Sequence, residues 1–317
     1  MKKFAIGIDL GGTYTKLALV SPKGKIVERG RLSTVSHKGR DRLIGAIIAE
    51  IGSILDRAGV SPKGLSGIGI GVPGLVDFEK GLVHKLTNVP GWDNTPLKGI
   101  LEKKTGVRVL VDNDVNVMAL GECRYGAGRG VRNAVCVTMG TGVGGGILIE
   151  GSLYRGESFT AGEIGHMPLN EKGPLCNCGR YACLERYVGN RYISEAMIAM
   201  IRSGRRSKVK DMAGGDLSCI TPEIISRAAR KGDAAAISLW EDIGTKIGTV
   251  LAGVVNLLNP GKVIIGGGVA GAGIHLFGPI RRTVAKRALR VPGKTVKIVR
   301  AKLGNDAGVI GAAALFF

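Results

Sequence analysis

Aromatic residues make up only 4% of this 317-residue chain, and acids are outnumbered, 25 Asp and Glu against 45 Lys and Arg. No apolar run approaches the ~18–20 residues of a membrane span. The opening Met1-Lys2-Lys3-Phe4-Ala5-Ile6 enters a strand and reaches Asp9 too soon for a secretory h-region, so a cytoplasmic location is expected. The resulting net charge of +20 raises the question of nucleic acid. The densest basic stretch, Arg281 to Lys302, holds nine Lys and Arg and no acid, and a second runs from Arg202 to Lys210. Neither is interleaved with the aromatic residues on which single strands stack. They read as solvated basic surface, open to anionic small molecules, rather than as a nucleic-acid site.

Cysteine is sparse as well, six residues, yet three of them crowd together. From Glu163 the chain reads Glu-Ile-Gly-His, then nine residues, then Cys-Asn-Cys-Gly-Arg-Tyr-Ala-Cys-Leu-Glu, ending at Glu185. His166, Cys176, Cys178 and Cys183 thus fall within eighteen residues. Four N/S ligands close a tetrahedral zinc site, and a site with no open position is structural. Buried thiols with a core histidine are the plainer alternative. A disulfide fits less well, because the local cysteines are odd in number. Glu163 and Glu185 flank the cluster, where a metal-pinned loop could hold carboxylates for a polar ligand.

Glycine, by contrast, is plentiful at 52 residues, and the length suits two domains. Strands are expected at Lys3–Leu10, on to Val20, Lys25–Ser33, Leu65–Gly71, Val107–Val111, Ala134–Met139, Gly144–Glu150, Lys262–Ile265 and Thr295–Val299. Helices are expected at Asp41–Arg57, Thr95–Thr105, Val115–Cys123, Asn190–Arg202, Pro222–Arg230, Ala234–Leu258, Gly278–Arg290 and Asp306–Leu315. The alternation makes an α/β protein. The motif of strand, small-residue turn and strand near residue 10 returns about 130 residues later, which suggests two related halves.

Three glycine turns follow apolar strands: Gly11-Gly12-Thr13, Gly140-Thr141-Gly142 and Gly266-Gly267-Gly268. Such turns let backbone N–H groups approach phosphate oxygens. Gly140, Gly142 and Gly145 also satisfy G-x-G-x-x-G, but a strand follows where a dinucleotide site needs a helix. Gly293-Lys294-Thr295 imitates the end of a P-loop, but Ala288 stands where its first glycine belongs. Asp9, beside the first turn, is placed either to hold Mg²⁺ through water or to cap the turn. Asp112-Asn113-Asp114 closes one strand and opens a helix. An Asp there could take a proton from a substrate hydroxyl while Asn113 bonds its neighbour, or the trio could serve as helix caps.

Taken together, these segments resemble the ROK family of repressors, open reading frames and sugar kinases, over essentially the whole chain. Asp9-Leu10-Gly11-Gly12-Thr13 is similar to its first phosphate motif, and Glu163 to Glu185 to its zinc signature. Val111 to Asn116 resembles its catalytic segment, and Gly304-Asn305-Asp306-Ala307-Gly308 its last helix start. The resemblance implies an actin/hexokinase-like fold, two ribonuclease-H-like domains around a central cleft. The expected division is residues 1–113 plus 304–317, and 114–303 carrying the zinc loop. It implies ATP-dependent phosphorylation of a hexose, glucose first, with mannose, fructose, N-acetylmannosamine and N-acetylglucosamine as alternatives. By the same analogy Asp114 is the general base. Gly74, Asn113, Glu163, His166 and Glu185 hold the sugar. Asp9, Gly11, Gly12, Thr13, Lys16, Gly140, Thr141, Gly142, Gly266, Gly267 and Gly268 take Mg-ATP. His166, Cys176, Cys178 and Cys183 bind structural Zn²⁺, and a homodimer or higher oligomer is expected. The segment Leu82–Trp92 is expected to border the sugar. Family repressors resemble the kinases with an N-terminal winged helix-turn-helix, for which a phosphate strand beginning at residue 3 leaves no room. One departure is visible: Ala182 stands where the family usually has glycine, which strains the loop if that position needs positive φ.

Overall fold

The apolar alternation at the start forms a meander of β1 (Phe4–Leu10), β2 (Tyr14–Val20) and β3 (Ile26–Ser33), each antiparallel to the next. The computed structural model describes residues 4–37, 39–86, 89 and 91–317. Helix α1 (Arg40–Ala58) buries Leu43, Ile47, Ile51 and Ile54 at helical spacing. It stops at Gly59, whose left-handed backbone closes the helix without a Cβ clash. β4 (Leu65–Val72) pairs parallel with β1. The hairpin of β5 (Gly74–Asp77) and β6 (Leu82–Leu86), then α2 (Leu97–Thr105), lead to β7 (Val109–Asn113), parallel to β4, and to α3 (Asp114–Tyr125). The first sheet has the order β3-β2-β1-β4-β7.

The plan then repeats. β8 (Ala134–Met139), β9 (Val143–Ile149) and β10 (Ser152–Tyr154) precede helices α4 (Glu185–Val188), α5 (Asn190–Arg202), α6 (Val209–Met212), α7 (Pro222–Arg230) and α8 (Ala234–Leu258). β11 (Lys262–Gly266) lies parallel to β8, and after α9 (Ile274–Arg287) and α10 (Arg290–Thr295), β12 (Lys297–Arg300) lies parallel to β11. The second sheet runs β10-β9-β8-β11-β12. With the β5–β6 hairpin set aside, strand placement matches the first sheet, so the similarity of the two halves extends to whole sheets. Helix α11 (Ala307–Ala314) ends the chain.

One compact unit comprises Met1–Arg132, Gly146–Gly162 and Ala301–Phe317; the other comprises Asn133–Gly145 and Glu163–Arg300. Residues 114–132 cluster with the first unit. The reason is α3, which packs backbone to backbone on α11 in the first unit. A Cβ at Gly311 would overlap the Val117 carbonyl, and one at Gly121 would lie 3.0 Å from Gly311. Gly7 and Gly69 make the sheet floor beneath α11 equally bare, because a side chain at either would strike the carbonyls of Val309 and Ala312.

In the second unit α8 presents Leu239, Trp240, Ile243, Ile247, Leu251 and Val255 to the core, all at most 4% exposed. The helix expected from Gly278 begins at Ile274 instead, with Pro279 inside it. An interior proline removes a hydrogen bond and costs about 3 kcal/mol. Here Pro279 is buried over Gly244 of α8, whose missing side chain makes room for the ring, so helix packing overrides the local preference. Thr295, expected in a strand, ends α10. Among the described residues no helix is long and apolar enough to cross a membrane.

Candidate active site

In the first unit the β1–β2 connection is Gly11-Gly12-Thr13. Neither glycine takes a positive φ; Gly11 is needed for space, because a Cβ would sit 2.7 Å from the Tyr14 carbonyl. The turn is pinned from beneath by Thr34, whose hydroxyl donates to the Gly11 carbonyl at 2.8 Å and meets the buried Thr15 hydroxyl at 2.9 Å. Thr13 is exposed. Asp9 and Lys16 are register partners on β1 and β2, with carboxylate and ammonium 3.9 Å apart. Burial raises the Asp9 pKa above the ordinary carboxylate value, and Lys16 pulls it partly back. Gly308 at the start of α11 leaves room for this carboxylate, since a Cβ there would lie 2.8 Å from Asp9 Oδ2. Lys16 also donates to the Asn305 carbonyl at 3.2 Å. Asp9 is thus an acid that burial has made costly to ionise, beside an exposed turn, which is a fit for a hard cation such as Mg²⁺.

At the β7–α3 corner the three polar residues divide their work. Asp112, 2% exposed, accepts two bonds on Oδ2 from Arg155 Nε (2.9 Å) and Nη2 (2.7 Å), and on Oδ1 from the Asn113 N–H and the Asn116 amide. The Arg155 guanidinium also covers the Phe78 ring at 3.6 Å. Asn113 is the helix cap: its carbonyl accepts from the N–H groups of Val115 (2.9 Å) and Asn116 (3.3 Å). Its amide donates to the Gly74 carbonyl at 3.2 Å, leaving a second amide hydrogen for a ligand. Asp114 occupies the first helical position, partly exposed, with Oδ1 2.9 Å from the Val115 N–H. Asp112 and Asn113 are both engaged in structural bonds, and Asp114 stands partly exposed beside them. The first unit therefore gathers Gly74, Asn113 and Asp114 at one corner.

In the second unit two glycine turns leave the C-terminal ends of the adjacent parallel strands β8 and β11, where Thr138 and Gly266 are register partners. In the first, the Gly140 N–H donates to the Gly142 carbonyl, and the Gly140 carbonyl accepts from the Asn190 N–H at the start of α5. Thr141 and Gly142 are exposed. Gly267 of the other turn has φ 82° and lies so close to Met139 that only glycine fits; Gly267 and Gly268 are exposed. Glu185, opening α4, accepts the Val143 N–H at 2.9 Å and lies against Gly142, tying the cysteine-bearing loop to the first turn.

The loop itself brings His166, Cys176, Cys178 and Cys183 together, with all four candidate ligand atoms within 4.8 Å of one another. Zn–S bonds of about 2.3 Å in a tetrahedron place sulfurs roughly 3.8 Å apart. Cys178 and Cys183 sulfurs are 3.7 Å apart, and Cys176 Sγ is 3.8 Å from His166 Nδ1. The donor set fits zinc. Burial, reinforced by the neighbouring thiols, pushes the Cys183 pKa up to about 12, while the Arg180 N–H holds Cys178 below its ordinary value. With Nδ1 turned to the cysteines, His166 Nε2 faces the Glu163 carboxylate at 3.8 Å, and Glu163 is more than half exposed. The second unit thus groups Glu163 with His166, and Glu185 with Gly142. Ala182 has φ 58° and is fully buried, so the departure from glycine does place a Cβ in the left-handed region.

The model of the ROK family matches residues 5–317. The chain belongs to the ROK family. Among ROK relatives it is 36% identical to the glucokinase of Thermotoga maritima, over 98% of this chain and 96% of that one. The xylose repressor of Caldicellulosiruptor bescii is 31% identical over 98% of this chain and 77% of its own. A solved ROK glucokinase from Streptomyces griseus, in complex with glucose and AMPPNP, superposes with a TM-score of 0.81 at 32% identity, covering 98% of each chain. The architecture is the actin/hexokinase-like α/β fold of two sheet-and-helix domains.

Arg155, which lies 43 positions from its partner Asp112, carries no local signal of its role, and neither does Thr34 beneath the first turn. Of Leu82–Trp92, residues Thr87, Asn88 and Pro90 lie outside the described residues. Trp92 is buried next to them.

Proposed function

We propose that the chain is an ATP-dependent hexose kinase, transferring the γ-phosphoryl group of ATP to the primary hydroxyl of glucose to give glucose 6-phosphate, ADP and a proton. The observation that carries this reading is the division of labour at residues 112–114 in a ROK chain 36% identical to a glucokinase. With Asp112 held by Arg155 and Asn113 capping α3, Asp114 accepts the proton of the attacking hydroxyl. The remaining Asn113 amide hydrogen, Glu163, Glu185 and His166 Nε2 bond the other hydroxyls, with Gly74 at the Asn113 corner. The turns at Gly11–Thr13, Gly140–Gly142 and Gly266–Gly268 hold the nucleotide phosphates, and Lys16 stands near the first of them. Phosphoryl transfer asks chiefly for positioning and charge stabilisation. Asp9 would hold Mg²⁺, which supplies charge neutralisation on the phosphates. His166, Cys176, Cys178 and Cys183 would hold Zn²⁺, which fixes the His166 ring and so the loop that carries Glu163. A cytoplasmic homodimer completes the proposal.

The test is ADP release from Mg-ATP with a panel of glucose, mannose, fructose and the two N-acetylhexosamines. Turnover strongest with glucose supports the proposal. Preference for another sugar moves the substrate within the family, and no turnover from zinc-loaded protein overturns the kinase. The match to the xylose repressor and the net charge of +20 favour a second reading, a DNA-binding sugar sensor. That reading requires duplex DNA binding that falls steeply with salt.

A further inference from the structure

Strand β3 is an edge of the first sheet, and Arg29 and Arg31 share one of its faces. The register sets Arg31 directly opposite Lys16 of β2, while Asp9 of β1 lies opposite Lys16 on its other side. Like charges directly opposite one another destabilise an antiparallel pair. Asp9 answers Lys16, at 3.9 Å. Arg29 is answered by Asp306, which accepts from both of its terminal nitrogens at 2.6 and 2.9 Å. Arg31 is different. Its guanidinium lies over the Tyr14 ring at 3.6 Å, and among the described residues no carboxylate or carbonyl takes its N–H groups. Stacking accounts for where Arg31 lies and leaves its five donors unused. Lys16, Arg29, Gly30, Arg31, Asn305 and Asp306 all line one cavity of about 450 Å³. That volume falls within the ~300–1,000 Å³ of small-ligand sites.

We infer that this cavity is a regulatory site for a phosphate dianion, either orthophosphate or the phosphate group of a hexose 6-phosphate, held between Arg31 and Lys16. A guanidinium pinned on a ring presents a ready fork to two phosphate oxygens, and Lys16 adds a point charge. Side chains opposite one another on antiparallel strands start about 4.5–5.5 Å apart, so both heads reach one anion. Two cations with a single carboxylate between them match a small dianion better than a carboxylate ligand or an apolar one. Arg29, already satisfied by Asp306, closes the row. The Asn305 amide and the Asp306 carboxylate are at hand for sugar hydroxyls. The consequence for activity rests on the kinase reading. Lys16 stands near the first glycine turn, so an anion that engages Lys16 opposes nucleotide binding. Product or free phosphate then slows the enzyme from a place apart from the sugar-binding residues.

Calorimetric titration with inorganic phosphate and with glucose 6-phosphate, on nucleotide-free wild type, Arg31→Ala and Arg31→Lys under saturating glucose, tests the site without turnover. Saturating glucose keeps the sugar-binding residues occupied. Loss of a charge-assisted fork is worth a factor of about ten or more in affinity. Arg31→Ala is therefore expected to weaken binding about tenfold or more, and Arg31→Lys, which keeps the charge and loses the fork, to recover part of it. Glucose 6-phosphate binding more tightly than phosphate names the product as the regulator; equal affinities name free phosphate. Initial rates then read the consequence. Either anion should raise the KM for Mg-ATP in wild type with glucose saturating. Arg31→Ala should keep the uninhibited kcat and both KM values while losing that inhibition. No Arg31-dependent binding at millimolar anion, or inhibition that excess glucose relieves and Arg31→Ala leaves unchanged, would overturn the inference. Arg31-dependent binding without any hexose turnover defeats the kinase reading alone, whereas turnover with binding indifferent to Arg31 defeats the anion site alone.

Discussion

Replacing Arg155 with methionine keeps an unbranched stem and removes both charge-assisted bonds to Asp112 Oδ2, at 2.9 and 2.7 Å. Asp112 would keep only its two Oδ1 partners while remaining buried. Stripping one partner from a buried ion pair costs about 3–5 kcal/mol. The loss of the guanidinium from the Phe78 ring adds about 0.5–1 kcal/mol. Because the Arg155 side chain retains 18% exposure, water can reach part of the vacated space, and the lower half of the ion-pair range applies, about 3–4 kcal/mol, which with the ring contact comes to about 3.5–5 kcal/mol in all. Urea unfolding of wild type, Asp112→Asn, Arg155→Met and the double variant closes a thermodynamic cycle. The double variant, which removes the stranded charge as well, should be more stable than Arg155→Met alone, with a coupling of about 2 kcal/mol or more. The same corner holds Asn113 and Asp114, so kcat should fall in Arg155→Met by more than the sugar KM rises. A stability loss below about 1 kcal/mol, with additive effects in the double variant, would refute the argument that Arg155 neutralises and fixes this corner.

Asp114→Asn should bind glucose within a few-fold of wild type, by calorimetry, and lose about 100-fold or more of its turnover; near-normal kcat would remove Asp114 from the base role. Purified protein should carry one zinc per chain by elemental analysis, and Cys178→Ser or chelation should release it, lower the melting temperature and weaken glucose affinity about tenfold or more through His166. Glucose affinity untouched by metal loss would separate the two sites. Asp9 carries a pH signature. Its folded pKa is raised by burial, so its contribution to stability is full at acid pH and lost as pH rises through that value. Asp9→Asn should therefore raise the melting temperature of the nucleotide-free protein at neutral pH, with the gain shrinking as pH falls toward about 4, while the KM for Mg-ATP rises. A lower melting temperature for the variant at neutral pH would contradict the burial argument.

Local rules were enough for much of this molecule. The strand–glycine–strand runs, the apolar stripes of α1 and α8 and the spacing of His166 and the three cysteines are each set within a few turns of chain. Those features appear where the spacing places them. What stayed hidden depends on residues distant in sequence. Arg155 becomes a partner of Asp112 only once β10 and the loop beyond it fold beside β7. The helix expected from Gly278 begins earlier, with Pro279 in its interior, where local preference disfavours proline and where it is tolerated because Gly244 opposite leaves a hollow. Asn113 could have served as cap or ligand on sequence grounds, and the backbone N–H groups of Val115 and Asn116 decided for the cap. Ala182 shows the reverse case: the question of positive φ was legible in the sequence, but the answer required the backbone.

The bare floor formed by Gly7 and Gly69 has a consequence for how the protein is made. The helix that covers it, Ala307–Ala314, belongs to the final stretch of the same compact unit, Ala301–Phe317. A ribosome working at about 5–20 residues per second needs roughly 10–30 s to pass from Arg132 to Ala301. For that interval strands β1 and β4 exist without their lid, and the first unit cannot complete itself however early its sheet pairs. The second unit meets no such delay, because its last strand precedes those residues. The half of the chain translated first is therefore the half finished last, and its nascent sheet is where a chaperone would be needed and where a truncated product would aggregate.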